Sequence, residues 1–186
     1  MEFRILGWPP DGPTLRLDWR RFAYAGKFVI SDTGKAVVRD PAAADPDSEF
    51  DEDVLSAVAF SEDRTDPSTL WLRYVTVRND RRGEGLGPKL VAFVADRAED
   101  RGYDRTRIAV NNPFAYEALY KAGFAWTGDE TGLAELVLER PAGGADPSPR
   151  RYRAGLDRFR DRDLSDAEEA FLRRKEDAAP PAVDRA

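Results

Sequence analysis

The chain has 186 residues, 41% of them apolar and 34% charged, with a formal net charge of −6 and neither cysteine nor histidine. That length and apolar content suit one domain with a real core, with or without an appendage. The composition excludes disulfides, thiolate metal sites, a catalytic cysteine and any histidine triad, ligand or general base, and the acidic balance has the wrong sign for nucleic acid or an anionic membrane.

In chain order, Glu2–Gly7 reads as a first strand, broken by the stretch from Pro9 to Gly12. Leu15–Ala25 is read as helix. Phe28–Ile30 and Ala36–Val38 flank Asp32-Thr-Gly34, a hairpin signal. Asp40–Asp53 is acidic and carries proline, so it reads as a solvated loop. Val54–Phe60 and Leu70–Val77 are the two strongest strands, joined by a turn over 64–68. Pro88–Arg101 reads as a helix: Leu90, Val91, Val94, Ala95 and Ala98 share one face, proline suits the first turn, and Gly102 follows the end. Thr106–Val110 is a short buried strand. Pro113–Ala122 is a second helix, capped by Asn112 and ended by Gly123. Phe124–Thr127 and Leu133–Leu138 close the series. The four tryptophans, Trp8, Trp19, Trp71 and Trp126, are read as core or pocket-wall residues.

The composition changes near Pro141. Residues 1–140 form the expected domain, 141–149 a Pro/Gly linker, and 150–186 a charged tail, partly helical or disordered. Ser165-Asp-Ala-Glu168 has the capping-box pattern, so a short helix from Asp166 to about Lys175 is expected, either solvated or packed through an apolar stripe of Ala167, Ala170 and Phe171 with Leu164 and Leu172, with disorder over 178–186. No apolar run approaches the ~20 residues that span a bilayer, and Met1–Leu6 is too short and charged for a signal peptide, so a cytoplasmic location is expected.

The chemistry concentrates in Val77-Arg-Asn-Asp-Arg-Arg82-Gly83-Glu84-Gly85-Leu86-Gly87-Pro88. A strand enters, three alternate glycines follow, and a helix leaves. Glycines let the backbone turn tightly and remove Cβ atoms that would block a ligand. Free amides at a helix N-terminus favour a phosphate or pyrophosphate, and Arg82 can add a charged fork. A P-loop would need Gly-Lys-Ser/Thr, where Gly87 is followed by Pro88-Lys89-Leu90; a Rossmann fingerprint would need Gly or Ala where Pro88 stands.

Arg82-x-x-Gly85-x-Gly87, after a strand ending in Val77 and before an amphipathic helix, resembles the acyl-CoA pyrophosphate signature of the GNAT superfamily of N-acetyltransferases. Asn112-Pro-Phe-Ala115-Tyr-Glu-Ala-Leu119-Tyr120-Lys-Ala-Gly123-Phe124 is similar to that superfamily's second motif. The resemblance covers roughly residues 54–140. It implies an α+β (α/β) fold: a mixed, mostly antiparallel central sheet with flanking helices, and splayed strands that hold acyl-CoA. It further implies pantetheine pairing near Val75 and Val77, the pyrophosphate over Arg82, Gly83, Gly85, Leu86 and Gly87, and a contact at Asn112, which equally reads as a helix cap.

In this family an acyl group passes from CoA to an amine by direct attack, a strand N–H polarising the thioester carbonyl and an acid protonating the departing thiolate. The family's usual tyrosine acid falls on Leu119 here. Tyr120 and Tyr116 are the two candidates for that role, and both also read as packing residues. A thiol near pKa 8.5 can also leave unaided. The expected co-substrate is acetyl-CoA, with no metal. The expected partner is a small-molecule or peptide amine, with no nucleic acid and no membrane, and a homodimer as a possible assembly. The Tyr24/Phe28 region is a candidate acceptor wall. The rival readings are a non-catalytic acyl-CoA-binding module on the same fold and an interaction protein working through its tail.

Overall fold

The computed structural model describes residues 1–184. Its strands are β1 (Glu2–Gly7), β2 (Gly34–Arg39), β3 (Val54–Glu62), β4 (Thr69–Val77), β5 (Arg105–Val110), β6 (Ala125–Glu130) and β7 (Leu136–Pro141). Its α-helices are α1 (Leu86–Arg101), α2 (Pro113–Lys121), α3 (Pro149–Arg160) and α4 (Asp166–Arg174). One seven-stranded sheet runs β1-β2-β3-β4-β5-β7-β6. Every neighbouring pair is antiparallel except β4 and β5, which are parallel. Parallel neighbours need a crossover, and α1 supplies it. This is the mixed, mostly antiparallel architecture that the sequence motifs imply.

The main core lies on the α1 face of the sheet. The apolar stripe of α1 is buried there as its spacing predicts: Leu90, Val91, Val94, Ala95 and Ala98 are all buried. A second cluster fills the opposite face, with Leu15, Leu17, Phe22, Ala25 and Phe28 packed on Val37, Val54, Ala57 and Ala59. No α-helix covers that face. The helix expected over Leu15–Ala25 and the strand expected over Phe28–Ile30 are both absent: the segment is turns plus one short 3-10 turn at Ala25–Lys27. The reason is tertiary. Leu15 donates its amide to Phe28 O, Asp51 N–H donates to Arg16 O, and Asp18 O takes the amides of Arg21 and Phe22. Five apolar side chains spread over a flat sheet outweigh local helix propensity, which is a weak preference.

The C-terminal segment also departs from the solvated tail expected of it. Tyr152, Leu156 and Phe159 of α3 and Phe171 and Leu172 of α4 are buried in the main core. Fully burying a side chain of this size contributes roughly 2 kcal/mol, so the two helices are not loosely attached. The capping box at the start of α4 forms as its sequence predicts, Ser165 and Glu168 each bonding the other's backbone. Beyond α4 no regular element follows among the described residues, but Asp184 N–H donates to Lys121 O at 2.8 Å. The disorder expected over 178–186 also concerns residues 185 and 186, which lie outside the described residues. Among the described residues no helix is long and apolar enough to cross a membrane.

One irregularity positions the site. β4 and β5 pair only from Thr69↔Arg105 to Leu72↔Ile108. Beyond that point β4 stays with β3 as far as Val77↔Ser56, while β5 stays with β7 as far as Val110↔Leu136. The β3–β4 register shifts at Ala59/Phe60, leaving Arg73 as the extra residue. A bulge bends and twists its strand, and here it coincides with the parting of the two strands.

Candidate functional site

Where β4 and β5 part, a cleft of about 360 Å³ opens. Its walls are Arg73, Tyr74 and Val75 of β4, Ile108, Ala109 and Val110 of β5, Gly87, Pro88 and Val91 of α1, and Ala115, Ala118 and Leu119 of α2. Asn111, Asn112, Tyr24 and Glu135 complete it. Arg78 N–H bonds back to Leu55 O of β3. By the strand's period of two, Tyr74 and Thr76 then turn their backbone groups to β3, and Val75 and Val77 turn theirs to the side β5 has left.

The glycine turn forms the rim at the head of α1. Gly83 and Gly85 take positive φ, +85° and +75°, which L side chains rarely adopt. A Cβ on Gly83 would meet nothing within 4 Å, so the space above the turn is open. Gly87 packs directly on β4: a Cβ there would stand 3.2 Å from Val77 Cγ2. No side chain caps α1, whereas Asn112, Ser148 and Ser165 cap the other three helices. Among the described residues the amides of Gly83, Glu84 and Gly85 have no acceptor, and Leu86 and Gly87 occupy the first turn, where no intrahelical acceptor exists.

The charges around the turn sort themselves. Arg78 pairs with Asp80, and Arg81 grips Glu84 through two bonds of 2.7 and 2.8 Å, which hold the Glu84 carboxyl below its ordinary pKa. Arg82 is exposed and, among the described residues, has no carboxylate partner. An open concavity of free amides, one unpaired guanidinium and the positive end of a helix fits a pyrophosphate. The groove beside it, with unpaired strand backbone on one wall and small apolar side chains on the other, fits a slender polar chain. These features fit acyl-CoA.

The sequence-selected residues fall into two groups. Val75, Gly87 and Asn112 line the cleft, and Val77, Arg82, Gly83, Gly85 and Leu86 build its edge. Asn112 is also the α2 cap, its Oδ1 accepting Ala115 N–H at 2.8 Å. Tyr116 and Tyr120, the two candidate acids, are not among the residues that line the cleft. Both are buried, at 0% and 1% exposure. The Tyr120 hydroxyl accepts Trp126 N–H at 3.0 Å; the Tyr116 hydroxyl donates to Tyr152 O at 3.1 Å and lies 3.2 Å from Tyr120 Oη. Burial pushes the Tyr116 pKa upward, as does its neighbour Tyr120. The cause is helical phase: α2 turns Ala115, Ala118 and Leu119 to the cleft, so positions 116 and 120 face α3.

Of the two residues proposed for the acceptor wall, Tyr24 lines the cleft and Phe28 is buried in the second core. Trp19 is 74% exposed and belongs to neither core nor cleft, unlike Trp8, which packs on Phe60 and Tyr103. Sequence reasoning missed Arg73, Tyr74, Asn111 and Glu135, because only the bulge and the β6–β7 loop bring them to the gap. A larger groove of about 640 Å³ lies between β6, the 141–148 segment and α3, and no residue of either motif lines it. Among the described residues no group of three or more carboxylates is placed to hold a metal.

The sequence model of the acetyltransferase (GNAT) family matches residues 6–124, well over half of the chain. No curated protein sequence matches it. Among solved structures it is similar to nourseothricin acetyltransferase, with 18% identity, 76% of this chain and 98% of that chain covered, and a TM-score of 0.49. An N-acetyltransferase from Staphylococcus aureus Mu50 gives 17% identity, coverages of 59% and 68%, and a TM-score of 0.47. A Bacillus subtilis acetyltransferase in complex with CoA gives 16%, 59% and 76%, and 0.44. With its matched sequence signature and a sheet split beside an uncapped helix, the chain belongs to the acetyltransferase (GNAT) family.

Proposed function

We propose that this protein transfers an acetyl or other short acyl group from acyl-CoA to a primary amine by direct attack. The observation that carries the reading is the parting of β4 from β5 after Leu72↔Ile108, directly beside the uncapped start of α1. Acetyl-CoA, when bound, supplies an activated thioester. Arg82 and the amides of Gly83, Gly85, Leu86 and Gly87 hold the pyrophosphate. Val75 and Val77 offer their backbone groups to the pantetheine amides, as an added strand would. Asn112 flanks the same channel. An amide of the β4 wall polarises the acyl carbonyl, a contribution of the oxyanion-hole type. No tyrosine hydroxyl of α2 takes part, and a thiol of pKa ~8.5 leaves without a strong acid.

The test is direct. Acetyl-CoA should raise the melting temperature by mass action, while NAD and ATP should not. Release of free CoA in the presence of an amine separates turnover from mere binding. The rival reading, an acyl-CoA-binding module without turnover, draws on the withdrawal of both tyrosines from the cleft. It predicts the thermal shift without CoA release.

A further inference from the structure

The titratable heads of the cleft are Tyr24, Arg73, Tyr74 and Glu135, and none comes from α1 or α2. Tyr74 packs against the second core, on the sheet face opposite α1, and the Tyr24 ring lies 5.8 Å from it. The cleft therefore presents its amide-rich turn on one face of the sheet and its two tyrosines on the other.

Glu135 is the only carboxylate among the cleft residues, and among the described residues it pairs with no cation. It sits in a built loop. Thr131 Oγ1 donates to its Oε2 at 3.2 Å, Thr131 N–H donates to its carbonyl at 2.9 Å, and Ala134 N–H closes on Thr131 O at 2.9 Å. From behind, the Arg162 guanidinium reaches in from the α3–α4 connection and donates to the carbonyls of Asn111 and Ala134. The two non-glycine residues at positive φ among the described residues are Tyr24 and Ala134, both at 59°. One lines the cleft and the other immediately precedes Glu135. Backbone held in a sparsely populated region persists where surrounding structure over-determines it, and such residues cluster at ligand sites.

We infer that Glu135 receives the ammonium of a small primary monoamine and takes its proton, with Tyr24 and Tyr74 as the walls for the amine's apolar body. The inference rests on the acyl-CoA reading of the same cleft. With no histidine or cysteine in the chain, a carboxylate is the natural base near neutral pH. The ammonium gives one proton to the Glu135 carboxylate. Its nitrogen then forms the N–C bond as the C–S bond breaks. The second proton lost by nitrogen ends on the departing sulfur through solvent, and Glu135 returns its own to solvent. The other charged groups nearby are Arg73 in the cleft wall, Lys27 over the Tyr74 ring at 5.6 Å, and Arg162 behind the loop. Arg73 in the cleft wall, Lys27 on the Tyr74 wall and Arg162 behind the Glu135 loop disfavour a polycationic acceptor and favour a single amine on an apolar body. Arg162 acts through the loop and is a positioning residue.

The test uses 2-phenylethylamine as probe, with spermidine and a lysine-containing peptide as contrasts. Calorimetry follows probe binding to the protein–CoA complex, and thiol release follows turnover with acetyl-CoA. Glu135→Gln should weaken probe binding about tenfold or more and lower kcat/KM by roughly 10²–10⁴-fold, with CoA affinity unchanged. Glu135→Asp should restore part of the rate. Arg162→Ala should raise the KM for the amine more than it lowers kcat. A Glu135→Gln protein that binds and acetylates the probe like wild type overturns the assignment. So does a wild-type protein that binds acetyl-CoA but prefers spermidine or the peptide, or that takes none of the three. If acetyl-CoA itself does not bind, the underlying reading falls, and this inference with it.

Discussion

Gly155 of α3 lies directly against the Tyr116 hydroxyl: a Cβ at position 155 would stand 2.1 Å from Tyr116 Oη and 2.5 Å from its ring carbon Cζ. The two helices approach this closely because one of them has no side chain at the crossing. The tyrosine fills the space completely and donates to the carbonyl of Tyr152, three residues earlier on α3. This contact seals the C-terminal helices to the domain on the side of α2 that helical phase turns away from the cleft.

The first prediction follows from that crossing. In an exposed helix, glycine to alanine stabilises by up to about 1 kcal/mol. Gly155→Ala should do the reverse, because a rigid buried aromatic ring cannot retreat. Overpacking of this kind typically destabilises by about 1–3 kcal/mol. Urea denaturation should show a lower midpoint with little change in slope; a midpoint at or above wild type would mean that α3 can slide off Tyr116.

Tyr120 is expected to matter for stability and not for turnover. Its hydroxyl is the acceptor of the Trp126 amide at the start of β6. Tyr120→Phe leaves that amide without its partner and should destabilise by about 1 kcal/mol. Turnover should change by less than a few-fold. A fall of two orders of magnitude in kcat with unchanged stability would restore the tyrosine as an acid.

Gly85→Ala should separate folding from ligand binding. The residue sits at φ +75°, so a Cβ there is strained by about 1 kcal/mol although nothing lies closer than Lys89 Cε at 3.9 Å. The residue lies within the turn whose amides, among the described residues, have no acceptor. Calorimetry should show acetyl-CoA affinity falling by about tenfold or more, beyond what the modest loss of melting temperature explains. A folded variant with wild-type affinity would move the pyrophosphate away from this turn.

Asp63 gives a pH-dependent prediction. Its carboxylate accepts the Thr65 amide, the Thr65 hydroxyl and Trp71 Nε1–H, and these bonds hold its pKa well below the usual carboxylate range. A folded-state pKa below the unfolded value of about 3.9 adds stability above that value. The contribution is lost as pH falls through the folded pKa. The stability gap between wild type and Asp63→Asn should therefore be constant near neutrality and close on acidification below about pH 4. A gap that persists unchanged in acid would show that the turn over 64–68 is held by shape and not by charge.

Much of the fold is legible in the sequence. The apolar stripe from Leu90 to Ala98, Pro88 and Gly102 at its ends, and Asn112 before Pro113 specify two helices through spacing and capping alone. The β3–β4 hairpin follows from two β-branched runs and a polar turn. The pyrophosphate turn is readable because positive φ and open space both call for glycine, and three alternate glycines are visible without coordinates. α3 was legible in principle: Tyr152, Leu156 and Phe159 recur at helical spacing, but the arginines among them made the segment read as a solvated tail. What the sequence could not decide is phase and neighbourhood. A helix position is specified to within one residue by motif counting, yet one residue is 100° of rotation, and that rotation turned Tyr120 toward α3 and Leu119 toward the cleft. Leu15 to Phe28 carries no periodicity that announces a sheet cover, and beside its local turns it is held by residues far along the chain, Asp51 N–H on Arg16 O and Asn79 N–H on Arg21 O. Glu135 and Tyr24 lie more than a hundred residues apart and meet at one cleft only because a bulge parts β4 from β5. Local physics wrote the elements and the glycine turn; which side chains share the gap was decided by strand order and register, which exist only once the sheet has formed.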